Sequence, residues 1–202
     1  MNKKKTFYFF RHGETDWNVQ KKFQGHIDVS LNANGQRHAQ ELAKFLNKVN
    51  LELIFSSDLG RAYETAQVVS SELNIPLLGE ARLREAHMGD LQGLTRDEVL
   101  EKYGENTLNS GLGMEVNRDS WRYPGGESIG EIRERVELLI NEISHERSEE
   151  VIGMSTHGGL LRRYLNQFIS SDEMLSIPNC VVYRLIKKGR NCELEGPLFS
   201  PE

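Results

Sequence analysis

An arginine and a histidine stand side by side directly after an apolar segment near the start of the chain. Arg11 and His12 follow residues 6–10, whose β-branched and aromatic side chains predict a buried strand. Gly13 gives the flexible backbone that a sharp turn needs, and ligands of open α/β sheets bind at the carboxyl ends of strands. A guanidinium suits phosphate oxygens and an imidazole can be a nucleophile, so the pair indicates phosphoryl chemistry. Taken alone, the pair also fits a surface charge beside a packed ring.

A second histidine stands in the same setting. Residues 149–155 form a charged approach followed by an apolar strand, which ends in Thr156-His157-Gly158-Gly159, and residues 160–165 have helical spacing. The two histidines meet if their strands are neighbours in one parallel sheet. The helix after Gly158 would then direct its unpaired backbone N–H groups at the space between them, which favours an anion.

Two more segments add a cation and a carboxyl group. Residues 51–57 predict a strand, Asp58 predicts the N-cap of an amphipathic helix, and Arg61 falls in the first turn of that helix. Glu85 lies in the glycine-punctuated segment 83–94. The arginine could bind phosphate and the carboxyl could protonate a leaving group, whereas the alternatives are a surface arginine and a solvated carboxylate.

With these segments in order, residues 5–190 resemble the histidine phosphatase superfamily, also called phosphoglycerate mutase-like. The matching residues are Arg11-His12-Gly13-Glu14-Thr15 with Asn18, Phe23-Gln24-Gly25-His26-Ile27-Asp28 with Leu31 and Gly35, Ser56-Ser57-Asp58-Leu59 with Arg61, Ala62, Thr65 and Ala66, Glu85 with Gly89 and Gly93, Gly125-Gly126-Glu127-Ser128, and Thr156-His157-Gly158-Gly159. One departure is His38, where the family more often has glutamine, at a position predicted to be helix surface.

The resemblance implies a role for each of these side chains. His12 would take the phosphoryl group onto a ring nitrogen, and Glu85 would protonate the departing alcohol and then activate water. The groups that hold the phosphate or substrate would be Arg11, Asn18, Gln24, Gly25, Arg61, His157 and Gly158. No metal ion or other cofactor is implied. His12 must be neutral to attack, so its second nitrogen should donate to a backbone carbonyl, whereas His157 would serve best as a cation.

The order of elements predicts an α/β fold. Strands and helices alternate, which predicts a three-layer α/β/α sandwich with a mainly parallel central sheet, as in the phosphoglycerate mutase-like fold. We expect one domain over residues 1–202. The predicted helices include 35–49 and two that open with capping boxes, Thr95/Glu98 (running to about Tyr103) and Ser128/Glu131. Residues 180–187 predict a late strand, with an edge hairpin through 192–194.

A small lid insertion is predicted over residues 95–126, with a mobile loop at 104–113. In the family, insertions here cover the site. The side chains that could select the substrate are Arg118, Trp121, Arg122 and Tyr123, although the aromatic ones could equally pin the segment to the body. His26 and His87 are weaker candidates for the rim of the pocket.

The composition predicts an ordinary cytoplasmic enzyme. The 25 basic and 30 acidic residues give a net charge of −5, which disfavours nucleic acid and suits a small phosphate ester. Cys180 and Cys192 are too few for a disulfide framework and lack the neighbours of a zinc site. Residues 3–10 only faintly imitate a signal peptide, and no apolar run is long enough to span a membrane. A homodimer through an exposed sheet edge is plausible.

Three functions are compatible with these residues. The favoured one is a metal-independent phosphomonoesterase that acts on small phosphorylated metabolites through a phosphohistidine. The runner-up, cofactor-dependent phosphoglycerate mutase, is suggested by residues 85–93, but the lid lacks the Arg-Arg-Ser-Tyr segment of the mutases, and the motif Pro124–Ser128 is more typical of phosphatases. A non-catalytic phosphate sensor is disfavoured because nucleophile, acid and pocket residues are all present.

Overall fold

The computed structural model describes residues 4–111, 119–170 and 175–201, and in positions 109–111 the backbone only. The strands are β1 (Lys4–Arg11), β2 (Leu53–Ser56), β3 (Leu77–Gly79), β4 (Val151–Thr156), β5 (Val182–Lys188) and β6 (Asn191–Phe199). The α-helices are α1 (Asp16–Val19), α2 (Ala33–Leu46), α3 (Gly60–Leu73), α4 (Arg96–Tyr103), α5 (Glu105–Gly111), α6 (Ile129–Glu146) and α7 (Gly158–Leu165).

The strands form one sheet in the order β3-β2-β4-β1-β5-β6. The first four in this order pair in parallel, whereas β5 runs antiparallel to β1 and β6 antiparallel to β5. The predicted mainly parallel sheet is therefore confirmed, with an antiparallel hairpin at one edge. Arg11 pairs in register with Thr156 at the carboxyl ends of β1 and β4. The register brings the next residue of each strand, a histidine in both cases, to one edge of the sheet.

Helices cover both faces of the sheet because β1 carries apolar side chains on each of its two faces. Phe7 and Phe9 pack in a cluster with α6 and α7, while Tyr8 and Phe10 pack in a second cluster with α2 and α3. All four of these side chains are buried. A strand that is apolar on both faces needs cover on both faces, which produces the three-layer sandwich.

Both predicted capping boxes are present. The Thr95 side chain caps α4 with Glu98 returning to the backbone of Thr95, and Ser128 and Glu131 do the same for α6. The predicted N-cap at Asp58 is wrong, because Leu59 occupies that position and makes no side-chain cap. The Asp58 carboxylate instead accepts a hydrogen bond from Nε of Arg84 at 2.7 Å.

The prediction of a loop over residues 104–113 is also wrong where the structure describes it, since 105–111 form α5; residues 112 and 113 lie outside the described part. A third apolar cluster explains the helix. Leu108 packs there with Val99, Leu91 and Tyr123. Because the surrounding sequence is polar, its pattern does not indicate that this one leucine is buried. Of the helices in the described ranges, none has the length and apolar character needed to cross a membrane.

Candidate active site

The two predicted histidines meet at the carboxyl edge of the sheet. His12 follows β1 and His157 follows β4, and their ring centroids lie 5.2 Å apart. The backbone N–H of His12 donates to the carbonyl of Thr156 at 3.0 Å, which extends the pairing of the two strands by one residue. The parallel register, which no local sequence pattern encodes, thus joins residues that are 145 positions apart.

His12 is held as a neutral ring with one free nitrogen. Its Nδ1 lies 2.6 Å from the carbonyl oxygen of Gly13, and because a carbonyl only accepts, Nδ1 carries the proton. Nε2 is then the nitrogen with the lone pair. Burial, followed by the positive charges of Arg61 and Arg11, lowers the pKa of His12 well below its ordinary value of 6.5. The expected hydrogen bond to a backbone carbonyl is therefore present.

The turn after His12 depends on close backbone packing. A Cβ atom on Gly13 would lie 2.4 Å from the carbonyl oxygen of Gly35, a distance that real Cβ atoms do not reach. The N–H of Gly13 donates to the hydroxyl of Thr65 at 3.0 Å. Glycine is thus required at position 13 by the approach of α2.

Two arginines stand beside His12, the half-buried Arg11 and the buried Arg61, and each is oriented by carbonyl oxygens. Arg11 donates from Nη1 to the carbonyl of Ile177 at 2.8 Å, and Arg61 donates from Nη1 and Nη2 to the carbonyls of Ile27 and Gly25 at 3.0 and 2.8 Å. Arg61 is 0% exposed, and burial lowers its pKa to about 10, so it remains a cation at neutral pH.

His157 differs from the sequence expectation. Its Nε2 lies 2.8 Å from the hydroxyl of Ser57 and its ring is completely buried. Burial and the charge of Arg61 lower the pKa of His157 well below its ordinary value. This shift runs against the expectation of a cationic His157 in the ligand-free protein, because among the described residues no anion offsets the desolvation of a charged ring.

Several buried polar atoms in this region have no hydrogen-bond partner among the described residues. These atoms are Nε of Arg11, Nε of Arg61, Nδ1 of His157 and Oε1 of Gln24. Most buried polar groups in folded proteins are paired, so a cluster of unpaired ones, two of them cationic N–H donors, calls for explanation. An acceptor-rich anion such as phosphate would supply the missing partners for the two arginines.

Glu85 occupies the amino terminus of α7. Its carboxylate accepts from the backbone N–H of Ala86 at 2.8 Å, of Gly159 at 2.8 Å and of Leu160 at 2.7 Å. The sequence predicted that the first N–H groups of this helix face a ligand. The structure assigns two of them to Glu85 instead, and in doing so brings the carboxyl group to the site.

These side chains surround a cavity of about 230 Å³. Its lining comprises Arg11, His12, Asn18, Lys22, Phe23, Gln24, Gly25, Arg61, Glu85, Met88, Tyr123, Gly158, Gly159, Arg162, Arg163 and Ile177. His157 is fully buried and is not part of this lining, although its ring lies next to that of His12. The wall contains five cationic side chains and a single carboxylate, so it suits an anion although the chain as a whole is acidic.

The smaller predicted binding residues are built into the wall through local hydrogen bonds. Asn18 closes a capping box with Thr15 at the start of α1, and Gln24 donates from Nε2 to the Thr15 hydroxyl at 3.0 Å. Gly25 has a φ of +54°, a conformation that L side chains rarely adopt, and its carbonyl orients Arg61. Gly158 forms the first turn of α7.

The predicted lid residues lie in different surroundings. Tyr123 is buried and lines the cavity, and Trp121 packs edge-on against it with ring centroids 4.7 Å apart. Arg122 turns away, with Nη2 lying 3.4 Å from the carboxylate of Glu131. Arg118 lies outside the described residues.

The two rim candidates, His26 and His87, are half-buried and are not among the residues that line the cavity. Their rings stand edge to face with centroids 5.0 Å apart. Nε2 of His26 lies 2.8 Å from the backbone carbonyl of Glu85, so His26 contacts the segment that carries the carboxyl group.

Sequence reasoning missed four residues of the site. Arg162, Arg163 and Lys22 line the cavity, and Asn179 donates from Nδ2 to the carbonyls of His12 and Gly13, both at 3.0 Å. The helical spacing could have indicated Arg162 as a site residue. Arg162 follows Gly158 by four positions and therefore lies on the same face of α7. Asn179 had no signal, since only the tertiary fold brings its loop to β1. Across the described ranges, no group of three or more His, Cys, Asp or Glu side chains is arranged to hold a metal ion.

Comparison with known proteins agrees with this geometry. The model of the histidine phosphatase superfamily (branch 1) matches residues 7–196. A phosphoglycerate mutase-like protein 4 of Arabidopsis thaliana is 38% identical over 155 residues, which cover 75% of this chain and 66% of that protein, slightly less than two thirds. A probable phosphoglycerate mutase GpmB of Proteus mirabilis is 31% identical, with 88% of this chain and 83% of that protein covered.

Among solved structures, a mycobacterial glucosyl-3-phosphoglycerate phosphatase in complex with VO3 superimposes with a TM-score of 0.79. The two sequences are 27% identical, and the match covers 95% of this chain and 96% of that one. A six-stranded α/β/α sandwich in which two neighbouring strands end in histidines is the architecture expected of a histidine phosphatase. This chain belongs to the histidine phosphatase superfamily and is an enzyme of that class.

Proposed function

We propose that this protein is a metal-independent phosphomonoesterase that acts on small phosphorylated metabolites through a phosphohistidine on His12. One observation carries the proposal most directly. The neutral ring of His12 presents Nε2 beside Arg11 and Arg61, whose Nε–H groups have no partner in the described structure. A nucleophile with unpaired cationic donors next to it is what an incoming phosphoryl group requires.

In the first step, Nε2 of His12 attacks phosphorus and the bond from phosphorus to the ester oxygen breaks. Arg11 and Arg61 bind the equatorial oxygens, where negative charge is spread during transfer. Glu85, in its protonated form, gives its proton to the departing oxygen, so that an alcohol leaves and the carboxylate remains. Nδ1 of His157, which has no partner among the described residues, donates its N–H to a phosphoryl oxygen, while Nε2 accepts from the Ser57 hydroxyl.

In the second step, water attacks the phosphorus of the phosphohistidine and the bond from phosphorus to nitrogen breaks. Glu85 takes a proton from the attacking water, so inorganic phosphate is released and both the carboxylic acid and the neutral imidazole are regenerated. The charge stabilisation that a metal ion supplies in other phosphatases comes here from arginine. The size of the cavity supports a small substrate, because about 230 Å³ lies below the roughly 300–1,000 Å³ of pockets for drug-sized ligands.

The intermediate is the direct test of this mechanism. We expect His12→Ala to abolish both turnover and covalent labelling by a ³²P-labelled ester, whereas His145→Ala, which alters an exposed residue in the last turn of α6, leaves both as in the wild type. Acid-lability of the label would identify a phosphoramidate. Retained turnover in the His12→Ala variant would overturn the mechanism.

The mutase function is the second candidate, and it is favoured by the names of two relatives, a phosphoglycerate mutase-like protein and a probable phosphoglycerate mutase. The two activities separate in a product assay with 3-phosphoglycerate, run with and without catalytic 2,3-bisphosphoglycerate and with a chelator throughout. Release of phosphate without isomerisation supports the phosphatase. Rapid formation of 2-phosphoglycerate that depends on the bisphosphate supports the mutase, and binding of phosphate compounds without any turnover supports a sensor.

A further inference from the structure

The segment that leads into β5 contacts the end of β1 at the candidate nucleophile. In this segment, residues 175–181, the backbone N–H of Cys180 donates to the carbonyl of His12 at 3.3 Å. The carbonyl of Ile177 accepts from Nη1 of Arg11 at 2.8 Å. The segment therefore binds both the nucleophile and one of the arginines beside it through its main chain.

Within this segment, the side chain of Asn179 points at the turn that follows His12. Its Nδ2 lies 3.0 Å from the carbonyl oxygen of His12, 3.0 Å from that of Gly13 and 3.3 Å from Oδ1 of Asn18. Backbone carbonyls only accept hydrogen bonds, so the NH2 end of the Asn179 amide must face them. One side chain thus holds two consecutive carbonyl groups of the turn.

The backbone next to Asn179 has an unusual conformation. Cys180 has a φ of +54°, in the left-handed region that residues with a Cβ atom rarely adopt. Such a conformation is unfavourable and is kept where the surrounding contacts impose it, which is frequent at functional sites. The conformation of Cys180 thus indicates that the contacts of this segment with the turn after His12 are closely determined.

The carbonyl of Gly13 is the group that fixes the proton on the ring of His12. Its oxygen has two donors, Nδ1 of His12 at 2.6 Å and Nδ2 of Asn179 at 3.0 Å, which use both of its lone pairs. The nitrogen of a histidine that carries the proton is set by the hydrogen bonds of the ring. A Gly13 carbonyl that is held in place by Asn179 therefore keeps the proton on Nδ1 and the lone pair on Nε2.

Asn179 also contacts a polar side chain of the cavity wall, Asn18. Oδ1 of Asn18 accepts from the backbone N–H of Thr15 at 3.1 Å, and Nδ2 of Asn179 lies next to the same oxygen. Because a backbone N–H only donates, Oδ1 must be the end of the Asn18 amide that faces Thr15. The NH2 end of Asn18 is then left for a ligand in the cavity, which Asn18 lines.

We propose that Asn179 is a positioning residue that holds His12 in the tautomer with the proton on Nδ1 and keeps the NH2 group of Asn18 turned towards the cavity. Asn179 is not part of the cavity lining, so it acts through these two residues. The proposal rests on the proposed role of His12 as nucleophile. The alternative is that Asn179 only fastens residues 175–181 to the sheet, in which case its loss reduces stability and leaves the ring of His12 unchanged.

The tautomer of His12 can be observed by ¹⁵N NMR of its ring nitrogens in the ligand-free protein. In the wild type at neutral pH we expect a protonated Nδ1 and an unprotonated Nε2. In Asn179→Ala we expect the signals of the opposite tautomer to appear, and in Asn179→Ser, whose hydroxyl keeps one donor, to appear more weakly. An unchanged tautomer in Asn179→Ala would overturn the proposal.

Asn191→Ala is the matched control for these variants. Asn191 is exposed and lies at the hairpin between β5 and β6, where it pairs with Lys188. Lys188 pairs in turn with Lys4, at the opposite end of β1 from His12. The same substitution at this position should leave the ring signals of His12 as in the wild type.

The rate of attack is a second readout. The nitrophenolate of p-nitrophenyl phosphate leaves without a proton, so kcat/KM for this ester reports attack by His12 separately from proton donation by Glu85. We expect Asn179→Ala to lower this kcat/KM by about 10- to 100-fold, as for other displaced reacting groups, and Asn191→Ala to leave it unchanged. A lower midpoint of thermal unfolding in Asn179→Ala without a loss of rate would show that the side chain only fastens the segment.

Failure of the positioning role and failure of the phosphatase function give different results. If the wild type hydrolyses no phosphate ester, the phosphatase function is wrong, and the NMR comparison still decides whether Asn179 holds the tautomer. If Asn179→Ala hydrolyses p-nitrophenyl phosphate as fast as the wild type, the positioning role is wrong and the phosphatase stands.

The wild type alone provides a test if Asn179→Ala does not fold. Both NH2 hydrogens of Asn179 are donated within the protein, so we expect their NMR signals, assigned through the backbone, to exchange slowly with water. The NH2 signals of the exposed Asn191 are the reference for rapid exchange. Exchange of the Asn179 signals as fast as those of Asn191 would overturn the proposal.

Discussion

His12 combines a neutral ring with a strongly cationic setting, and the setting itself favours the neutral form. Burial and the charges of Arg61 and Arg11 both disfavour the imidazolium, so they lower the pKa of His12. The same arginines that would bind the substrate thus keep the nucleophile unprotonated before the substrate arrives. A dianionic phosphoryl group would offset the positive charge of these arginines once its oxygens are bound.

The pKa of His12 can be measured directly. Attack needs the neutral ring, and a lowered pKa means that this form is lost only when the pH falls below the ordinary value of 6.5. We expect the His12 ring signals in NMR spectra of the ligand-free protein, assigned by comparison with His12→Ala, to remain those of neutral imidazole from pH 8 down to 6.5. Titration of His12 at or above pH 6.5 would contradict the described environment.

The role of Glu85 as general acid can be tested by changing the leaving group. Glutamine keeps the shape of the side chain but cannot supply the proton, and a general acid is worth roughly 10²–10⁴ in rate. We therefore expect Glu85→Gln to slow hydrolysis of glycerol 3-phosphate by about that factor and hydrolysis of p-nitrophenyl phosphate much less, because nitrophenolate leaves without a proton. Equal losses on both esters would show that Glu85 only supports α7.

At the scale of elements, the site depends on two strand ends and one helix start. The parallel pairing of β1 with β4 sets the position of both histidines, and α7 holds Glu85 through two backbone N–H groups. The long helix α6 packs its apolar face on the same layer as α7. The stability of α6 therefore affects the packing that holds α7, and with it the site, in place.

The capping box of α6 gives a prediction at this scale. Ser128 is buried and its hydroxyl accepts from the N–H of Glu131 at 3.2 Å. We expect Ser128→Ala to lower the free energy of unfolding by about 1 kcal/mol, measured by urea denaturation, and Ser128→Asp to recover most of it. Ser148→Ala, at an exposed position, is the control. A loss of stability equal to that control would mean that the cap contributes nothing.

At the scale of the whole molecule, a mildly acidic protein carries a concentrated patch of positive charge in one cavity. Repulsion among these cations opposes folding, and a bound anion relieves it. A ligand that binds only the folded state at 100 times its Kd stabilises that state by about 2.7 kcal/mol. We expect inorganic phosphate, compared with chloride at equal ionic strength, to raise the midpoint of thermal unfolding, and Arg11→Met to reduce this shift. An equal shift in both proteins would place the bound phosphate elsewhere.

The arrangement of 1–202 as one domain, the lid function of 95–126 and a homodimer through a sheet edge stay predictions. The edges of the described sheet are β3 and β6. Sedimentation of the purified protein measures whether two copies associate, as pairing at either edge requires.

The sequence by itself determined the strands, the capped helices and the identity of His12, His157, Arg11, Arg61 and Glu85 as the residues to examine. These follow from local patterns, in which apolar periodicity, cap residues and glycine turns act within a few positions of each other. Only the tertiary structure decided that Glu85 binds the start of α7, that burial lowers the pKa of His157, and that Arg162 lines the cavity while Asn179 binds the backbone of His12. Each of those results depends on burial and on contacts between distant segments, because desolvation and charge coupling arise only when the strands and helices have packed.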